Sequence, residues 1–340
     1  MSTEPKFVDR EYELKTLEEL SRRDLPTPLY IYGPEGCGKT RLLREFITNF
    51  NGIGIYIDTL ERTNIEKVLT VNLAIPELRE YIVSIAKEYL GNIGLILAQK
   101  LYTVLEKIAT KYKLKGKNLV IAVDDVTQVL GIHEIERYMK WLYEAITKIK
   151  QEYRPESILI LVTTSEGQSL QRIIRHTYTK VNLLWNLPKE AFTQLANQLQ
   201  PPDRDTVEKT WELTGGNPRR LIEIAKWYRW NIDQWLEDLK ENIRDVAKTA
   251  IKLNLVEELI KVIENPDNID VVTTEKMERL YKILLERNLV IYTGIPLLQS
   301  WTTKQRHLTP NTKLGIGRYY SWQIPAYKYA LKQLLQKQHH

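Results

Sequence analysis

Gly33–Thr40 combines residue types that can wrap a backbone around a phosphate group. The segment is Gly-Pro-Glu-Gly-Cys-Gly-Lys-Thr, the full pattern G-x-x-x-x-G-K-T, between the apolar run Pro28–Tyr32 and the helical pattern Arg41–Phe50. Glycines let successive backbone N–H groups curve around an anion, and a helix N-terminus favours negative charge. We expect Lys39 to reach the β- and γ-phosphates and Thr40 to offer its hydroxyl to Mg²⁺. The predicted nucleotide contacts here are Gly33, Pro34, Gly36, Cys37, Gly38, Lys39, Thr40 and Arg41.

A second apolar run, Asn118–Asp125, ends in two aspartates. Its β-branched and aliphatic residues predict a strand buried on both faces of a parallel sheet, and such sheets bind ligands at the carboxyl ends of their strands. An acidic pair alone is a weak signal because turns also favour Asp. Together with the phosphate loop, it predicts that Asp124 holds Mg²⁺ and that Asp125 orients or deprotonates an attacking water.

A later run, Ser157–Ser165, ends in hydroxyl groups. Strands are also predicted at 52–58 and 181–185, and a long helical region from about Asn64 to Lys115 follows the first of them. Together these runs predict the strand order of P-loop ATPases that use an additional catalytic acid. Thr164 is the predicted sensor of the γ-phosphate or the attacking water. An equally good interpretation is a Thr/Ser-rich turn that caps the helix beginning near Gln168.

Asn217-Pro218 predicts the start of a helix, because Asn is a good N-cap and Pro is favoured at the first helical position. Arg219 and Arg220 then lie in the first turn, where cations oppose the helix dipole. Their placement is explained if a bound phosphate lies nearby. The alternative is two solvated arginines on a surface turn.

The composition excludes several classes of protein. With 340 residues, 43% hydrophobic and 27% charged, the chain has room for two or three folded domains. A single cysteine excludes an intrachain disulfide and favours a cytoplasmic protein. The most apolar stretch, 81–101, contains Lys87 and Glu88, so we expect neither a membrane span nor a signal peptide.

The net charge of +6 arises from the last segment of the chain. No acidic residue follows Glu286, whereas eight Lys and Arg residues do. The pattern predicts helices, a hairpin of Leu289–Tyr292 with Arg318–Ile324, and a final helix from Pro325 to Gln336, which is the order of a winged helix. Basic residues and aromatics in the predicted wing, 294–317, suit a nucleic acid. The predicted DNA contacts are Lys304, Arg306, Lys313 and Arg318.

These motifs resemble archaeal STAND-type P-loop ATPases, relatives of AAA+ proteins and of archaeal replication initiators. The resemblance covers most of the chain and also includes Phe7–Glu11 before the phosphate loop and Thr214–Leu221. It implies that Phe7, Val8 and Arg10 contact the adenine, and that Pro218 and Arg219 belong to a helical lid. One of the two arginines would then have the role of a sensor-2 arginine, and Arg219 is the one predicted.

The resemblance also implies a division of the chain and its cofactors. The expected fold is an α/β P-loop NTPase core with a parallel sheet at 1–187, a helical lid at 188–240 and a winged-helix α+β domain at 241–340. The expected cofactors are ATP and Mg²⁺. Asp125 stands where Glu is commoner, which suits a slow switch. Arg137, Arg172 and Arg175 are candidate arginine fingers across a subunit interface.

The leading hypothesis is therefore an ATPase switch that couples nucleotide state to DNA binding. The alternative is a signalling scaffold in which nucleotide state controls self-association or contact with a protein partner. A small-molecule kinase is disfavoured, because its chemistry needs no lid motif or appended winged helix.

Overall fold

The computed structural model of the protein describes residues 4–61, 69–72, 96, 99–109, 112–131 and 133–336. Within these residues a six-stranded sheet forms the centre of the N-terminal half. Its strands are β1 (Leu29–Tyr32), β2 (Ile53–Asp58), β3 (Leu69–Val71), β4 (Asn118–Asp124), β5 (Ser157–Thr164) and β6 (Lys180–Leu183).

The strands lie in the order β3-β2-β4-β5-β1-β6, and all neighbours are parallel except β3 with β2. Strand β5, which ends in hydroxyl residues, therefore lies between the strand before the phosphate loop and the strand that ends in Asp124. The register pairs Tyr32 with Thr164 and Asp58 with Asp124. The phosphate loop, the acidic pair and the hydroxyl segment consequently meet at one edge of the sheet.

Fourteen α-helices surround the sheet or follow it in the described part of the chain. The first six are α1 (Glu11–Ser21), α2 (Lys39–Asn49), α3 (Leu101–Ala109), α4 (Val126–Leu130), α5 (Ile135–Tyr153) and α6 (Gly167–Ile173). The others are α7 (Lys189–Gln198), α8 (Arg204–Thr214), α9 (Pro218–Lys226), α10 (Ile232–Lys252), α11 (Val256–Glu264), α12 (Asn268–Val271), α13 (Glu275–Glu286) and α14 (Pro325–Gln336). None of these described helices is long and apolar enough to cross a membrane.

The sheet is buried on both faces, as its continuous apolar strands predict. Alternate residues of β4 and β5 point to opposite sides. Ile121 and Val162 pack with α3 and α5 on one face, whereas Ala122 and Leu161 pack with α1 and α2 on the other. The two helical layers hold the strand ends rigidly, and the loops that follow these ends carry the polar residues.

Residues 69–71 form a strand where the sequence predicts helix. The helical region expected from Asn64 to Lys115 contains β3, which pairs antiparallel with β2 at the sheet edge. Only three residues form this strand, too few for a period of two to stand out in the sequence. Helix α3 agrees with the prediction, whereas 62–68, 73–95, 97–98 and 110–111 lie outside the described residues.

Helix α10 joins two apolar clusters of the C-terminal half. Its first part, with Trp235 and Leu239, packs with α9 and α14, and its second part, with Val246 and Ala250, packs with α11 and α13. The predicted boundary between residues 240 and 241 falls inside this continuous helix. The apolar stripe runs through the boundary unbroken, so residues on both sides of it belong to one rigid element.

Two short strands, β7 (Val290–Tyr292) and β8 (Tyr320–Trp322), form an antiparallel pair after α13. The segment between them was predicted to be a wing. Part of it packs against the six-stranded sheet and its helices. Leu183 N–H of β6 donates to Pro296 O at 2.9 Å, and Leu298 is buried among residues of α1 and α2. Short 3-10 helices form at Leu298–Trp301 and Thr312–Leu314.

This packing predicts that Leu298 acts as a core residue although it lies in a connecting segment. Replacing Leu298 by Ala should lower the free energy of unfolding by about 2 to 5 kcal/mol, because the removed side chain is fully buried. The measurement is urea unfolding followed by circular dichroism. Ile260→Ala, at a side chain that is 44% exposed, is the control and should change the free energy of unfolding by about 1 kcal/mol or less. Equal effects of the two variants would contradict this packing.

Candidate functional site

The loop between β1 and α2 has a conformation that depends on glycine. Gly36 has φ 79°, and a Cβ placed on it would lie 2.5 Å from the Cβ of Arg219. A Cβ on Gly33 would lie 2.0 Å from the carbonyl oxygen of Leu184 at the end of β6. These positions therefore exclude larger residues, and the loop packs closely against both neighbouring segments.

Lys39 begins α2 and turns back across this loop. Its Nζ donates to Gly33 O at 3.0 Å and to Pro34 O at 2.9 Å, and the side chain is buried. The ammonium group is thus held inside the curve of the loop, where the sequence places it. Thr40, the next residue, lines the same cavity as Asp125.

Asp124 lies at the end of β4 with both carboxylate oxygens bonded to hydroxyl groups. Tyr56 OH donates to Oδ2 at 2.7 Å, and the Thr163 hydroxyl donates to Oδ1. The pKa of Tyr56 lies far above its ordinary value, mainly because the phenol is buried and secondly because Asp124 is near, so the phenol remains a donor. Neither Tyr56 nor Thr163 was predicted, because their approach to Asp124 depends on which strands are neighbours.

Asp125 follows in the left-handed region, with φ 51°, and its N–H donates to Thr163 Oγ1 at 2.9 Å. Its Oδ1 is buried and has no hydrogen-bond partner among the described residues. Burial, followed by the Asp124 carboxylate, raises the pKa of Asp125 to about 7, while Lys39 acts in the opposite direction. Asp125 is therefore close to half-ionised at neutral pH, which suits a group that exchanges protons.

Thr164 does not line this cavity. Its hydroxyl is fully buried, accepts from Thr127 Oγ1 at 2.7 Å and lies 3.2 Å from Ser169 Oγ. Ser165, the next residue, is the member of this hydroxyl segment that lines the cavity. Side chains alternate along a strand, so the hydroxyls of Thr163 and Thr164 point to opposite sides, and the predicted contact of Thr164 with the γ-phosphate is not supported by its position.

Two adjoining cavities lie at the loop. One has a volume of 430 Å³ and a mostly apolar wall that includes Phe7, Val8, Leu187 and Pro218. The other, the polar cavity, has a volume of 610 Å³ and a mixed wall in which polar surface slightly exceeds apolar surface. The residues that line both are Glu4, Gly36, Gly38, Arg41 and Arg219.

Arg10 lines the apolar cavity, but its guanidinium group is hydrogen-bonded to other residues of the protein. Nη1 pairs with Glu13 at 2.9 Å, and Nη2 donates to Cys37 O at 3.0 Å and Trp185 O at 2.6 Å. The resemblance implied that Arg10 contacts a base. In this structure its guanidinium instead ties the phosphate loop to the segment after β6.

The two arginines in the first turn of α9 point in different directions. Arg219 lines both cavities and pairs with Glu35 of the loop at 2.7 Å, although its side chain is 64% exposed. Arg220 points the other way and bonds to Glu223 and to Tyr327 OH. Asn217 Oδ1 accepts from Arg220 N–H at 3.1 Å, as an N-cap should.

Comparison with known proteins identifies the family of this chain. Residues 7–224 match the family described as an ATPase domain predominantly from Archaea. The chain belongs to this family. An uncharacterized ATP-binding protein of Methanocaldococcus jannaschii is 22% identical over 91% of this chain and 92% of its own length. Another from Pyrococcus abyssi is 23% identical over 84% of this chain and 91% of its own length.

A crystal structure of the FIGL-1 AAA domain is a more distant likeness. The match has a TM-score of 0.39 and 20% sequence identity, and it covers 66% of this chain and 74% of the FIGL-1 chain.

The arginines considered as fingers lie on the surface of the archaeal ATPase domain. Arg137 pairs with Glu134 at 2.7 Å, and Arg175 pairs with Glu136 at 2.5 Å. Arg172 lies 4.0 Å from the same Glu136. All three therefore have an acidic neighbour within their own chain, and their role across a subunit interface stays a prediction.

Four basic residues lie beyond the archaeal ATPase domain, in the segment between β7 and β8. These are Lys304, Arg306, Lys313 and Arg318, all exposed and without an ion pair among the described residues. Nearby, the guanidinium of Arg23, which follows α1, lies 5.9 Å from the Trp301 ring, and that of Arg318 lies 5.1 Å from the Tyr319 ring. The basic segment thus adjoins the ATPase domain. Trp301 Nε1 also donates to Asn182 Oδ1 at 3.3 Å, which holds this ring against the core.

The raised pKa of Asp125 predicts a pH-dependent cost to stability. The folded protein holds a proton on Asp125 up to about pH 7, whereas the unfolded chain releases it near the ordinary Asp value of 3.8. Stability is therefore lost as pH rises between these values. Asp125→Asn should remove that loss and stabilise the protein at pH 8 by on the order of 2 to 4 kcal/mol.

The measurement is the free energy of unfolding of both proteins at pH 5 and pH 8. The advantage of Asp125→Asn should be much smaller at pH 5, because Asp125 is then protonated in the folded protein. Asp233→Asn, at an exposed acid of α10, is the matched control. An advantage that does not depend on pH would show that the buried charge is not its cause.

Proposed function

We propose that this protein binds ATP with Mg²⁺ and hydrolyses it. The observation that carries the proposal is the pair of cavities that meet at the phosphate loop, one mostly apolar and the other with the more polar wall and with Lys39, Thr40 and Asp125 in its lining. A nucleoside triphosphate has a flat, largely apolar base at one end and a polyanionic chain at the other. The relatives named as ATP-binding proteins support ATP as this nucleotide.

The polar cavity supplies groups for the phosphates. Backbone N–H groups at the start of α2 favour an anion, and a phosphate oxygen is a stronger acceptor for Lys39 than the neutral carbonyls of Gly33 and Pro34. Arg219 is held over the loop by Glu35 and is exposed enough to turn to a phosphate. Phe7, Val8 and Pro218 provide apolar surface for the base.

The residues expected to hold Mg²⁺ fit a cation. Thr40 and Asp125 line the polar cavity, and the buried Oδ1 of Asp125 has no hydrogen-bond partner among the described residues. Asp124 lies beside Asp125 at the strand end, and the hydroxyl groups of Tyr56 and Thr163 hold its carboxylate in place. Thr40 and Asp124 would hold the ion, which when bound neutralises developing charge on the phosphates. Asp125 then orients a water and accepts its proton, and the Thr163 hydroxyl fixes the backbone of this residue.

The test is ATP binding and turnover by the wild type and two variants. Lys39→Ala should weaken ATP binding about tenfold or more, because it removes the buried cation of the loop. Asp125→Asn should bind ATP but turn over about 100-fold more slowly or worse, because it cannot accept a proton. Lys248→Ala, at an exposed lysine of α10, is the control and should behave as wild type. Normal turnover by Asp125→Asn would exclude its role as the base.

We further propose that nucleotide state is coupled to DNA binding. The supporting observation is the set of four exposed basic residues that form no ion pair within the part of the chain that the structure describes, in a stretch with no acidic residue after Glu286. This proposal treats the helices α11 to α13 and the strands β7 and β8 as a winged helix, with ATP drawing α7 to α9 onto the core as a lid. The Asn217 and Arg219 contacts to Glu35 give that lid a direct hold on the phosphate loop.

A variant with four basic residues of the β7–β8 segment replaced by Ala should bind DNA about tenfold more weakly or worse. The slope of log affinity against log salt concentration should become shallower by up to about four. The residues replaced are Lys304, Arg306, Lys313 and Arg318. The measurement is fluorescence anisotropy with duplex and single-stranded DNA at several salt concentrations. The control replaces Lys276, Arg279 and Lys282, exposed cations of α13, and should have the smaller effect. No DNA affinity in any nucleotide state, with nucleotide-dependent mass in light scattering, would favour the scaffold function.

A further inference from the structure

The phosphate loop receives a hydrogen-bond acceptor from the far end of the chain. Gln323 lies between β8 and α14, and its Oε1 accepts from the backbone N–H of Glu35 at 2.7 Å. The Gln323 side chain is buried, with the residue only 3% exposed. A residue 288 positions downstream therefore touches the third residue of the loop directly.

Both backbone polar groups of Glu35 are held by side chains from other segments. Asn217 Nδ2 donates to Glu35 O at 2.8 Å and to Asn186 Oδ1 at 3.0 Å. Asn186 Nδ2 in turn donates to Gln323 O at 3.1 Å. Asn186, Asn217 and Gln323 thus form one buried polar cluster that joins the segment after β6, the start of α9 and the start of α14 to the loop.

This cluster matters because the loop has little stiffness of its own. Gly36 and Gly38 have φ of 79° and 103°, and glycine has more conformational freedom than any other residue. A loop that must present several N–H groups to one anion binds better when its shape is already set. The bonds to Glu35 set that shape from outside the loop.

A second contact joins the C-terminal half to the same sheet edge. Gln171 Nε2 of α6 donates to Tyr281 OH of α13 at 2.9 Å. A Cβ on Gly167, the first residue of α6, would lie 2.4 Å from a methyl carbon of Leu285. The C-terminal residues therefore pack against the segment after β5 as well as the phosphate loop.

We propose that Gln323 is a positioning residue for the phosphate loop, so that nucleotide affinity depends on the docking of residues 290–336 against the core. The proposal rests on the proposed nucleotide binding. By thermodynamic linkage, a bound nucleotide must strengthen that docking by the same factor. The two contacts of Glu35 then connect the nucleotide both to the lid helices and to the C-terminal strands.

Gln323→Met tests the proposal with little change in side-chain volume. It removes the acceptor of the Glu35 N–H, and it also removes Nε2, which is buried without a partner among the described residues. Loss of that unpaired amide offsets part of the lost bond, so the melting temperature without nucleotide should stay within about 3 °C of wild type. Gln333→Met, on the exposed side of α14, is the matched control.

The affinities for ADP and a non-hydrolysable ATP analogue are measured by calorimetry. Gln323→Met should bind both about tenfold more weakly, while Gln333→Met binds as wild type. Turnover at saturating ATP should be unchanged, because the chemical groups are intact. Wild-type affinity in a folded Gln323→Met would overturn the inference, whereas failure of the wild type to bind either nucleotide would overturn the proposed function itself.

Hydrogen exchange on the wild type provides a test that does not depend on a variant. Adding the ATP analogue should slow amide exchange in peptides covering 320–330 as well as in the phosphate loop, and this distant protection should be lost in Gln323→Met. Protection confined to the phosphate loop and α2 in the wild type would show that nucleotide does not strengthen docking, and would contradict the proposal.

Discussion

The shape of the phosphate loop is the constraint on which the rest of the site depends. Its backbone must turn within eight residues between a buried strand and a helix, and its glycines permit that turn without enforcing it. Contacts from distant parts of the chain supply the stiffness. Arg10 holds the carbonyl of Cys37, Asn217 holds the carbonyl of Glu35, and Gln323 holds its N–H.

Electrostatic conflict at the neighbouring strand end is the second feature of the site. Asp124 and Asp125 are adjacent, largely buried acids, yet only Asp124 has hydroxyl donors on both oxygens. The charged form of Asp125 is therefore the one destabilised, and its pKa rises to about 7. The same buried surroundings that destabilise its charge bring its pKa close to neutral pH, which the proposed role as a general base requires. The predicted loss of stability and the proposed proton transfer therefore have the same cause.

The C-terminal half contributes to the core as well as presenting charge. Leu298 fills the layer between α1, α2 and the sheet, while Lys304 and Arg306 of the same segment remain exposed. A segment anchored in this way cannot move freely toward a polyanion. Any coupling between nucleotide and the basic residues therefore passes through packed contacts such as those of Asn182 and Gln323.

The sequence alone determined the chemistry of the phosphate loop, because G-x-x-x-x-G-K-T is a contiguous motif whose function depends on local backbone freedom. The strand runs of β1, β4 and β5 were also predictable, since burial on both faces requires unbroken apolar residues. The N-cap of α9 was predictable for the same local reason. Only the tertiary structure showed that Thr163 rather than Thr164 bonds Asp124, that Arg219 rather than Arg220 faces the loop, and that Gln323 reaches Glu35. These contacts join segments far apart in the chain, and their geometry is decided by sheet order and helix packing, which no local pattern encodes.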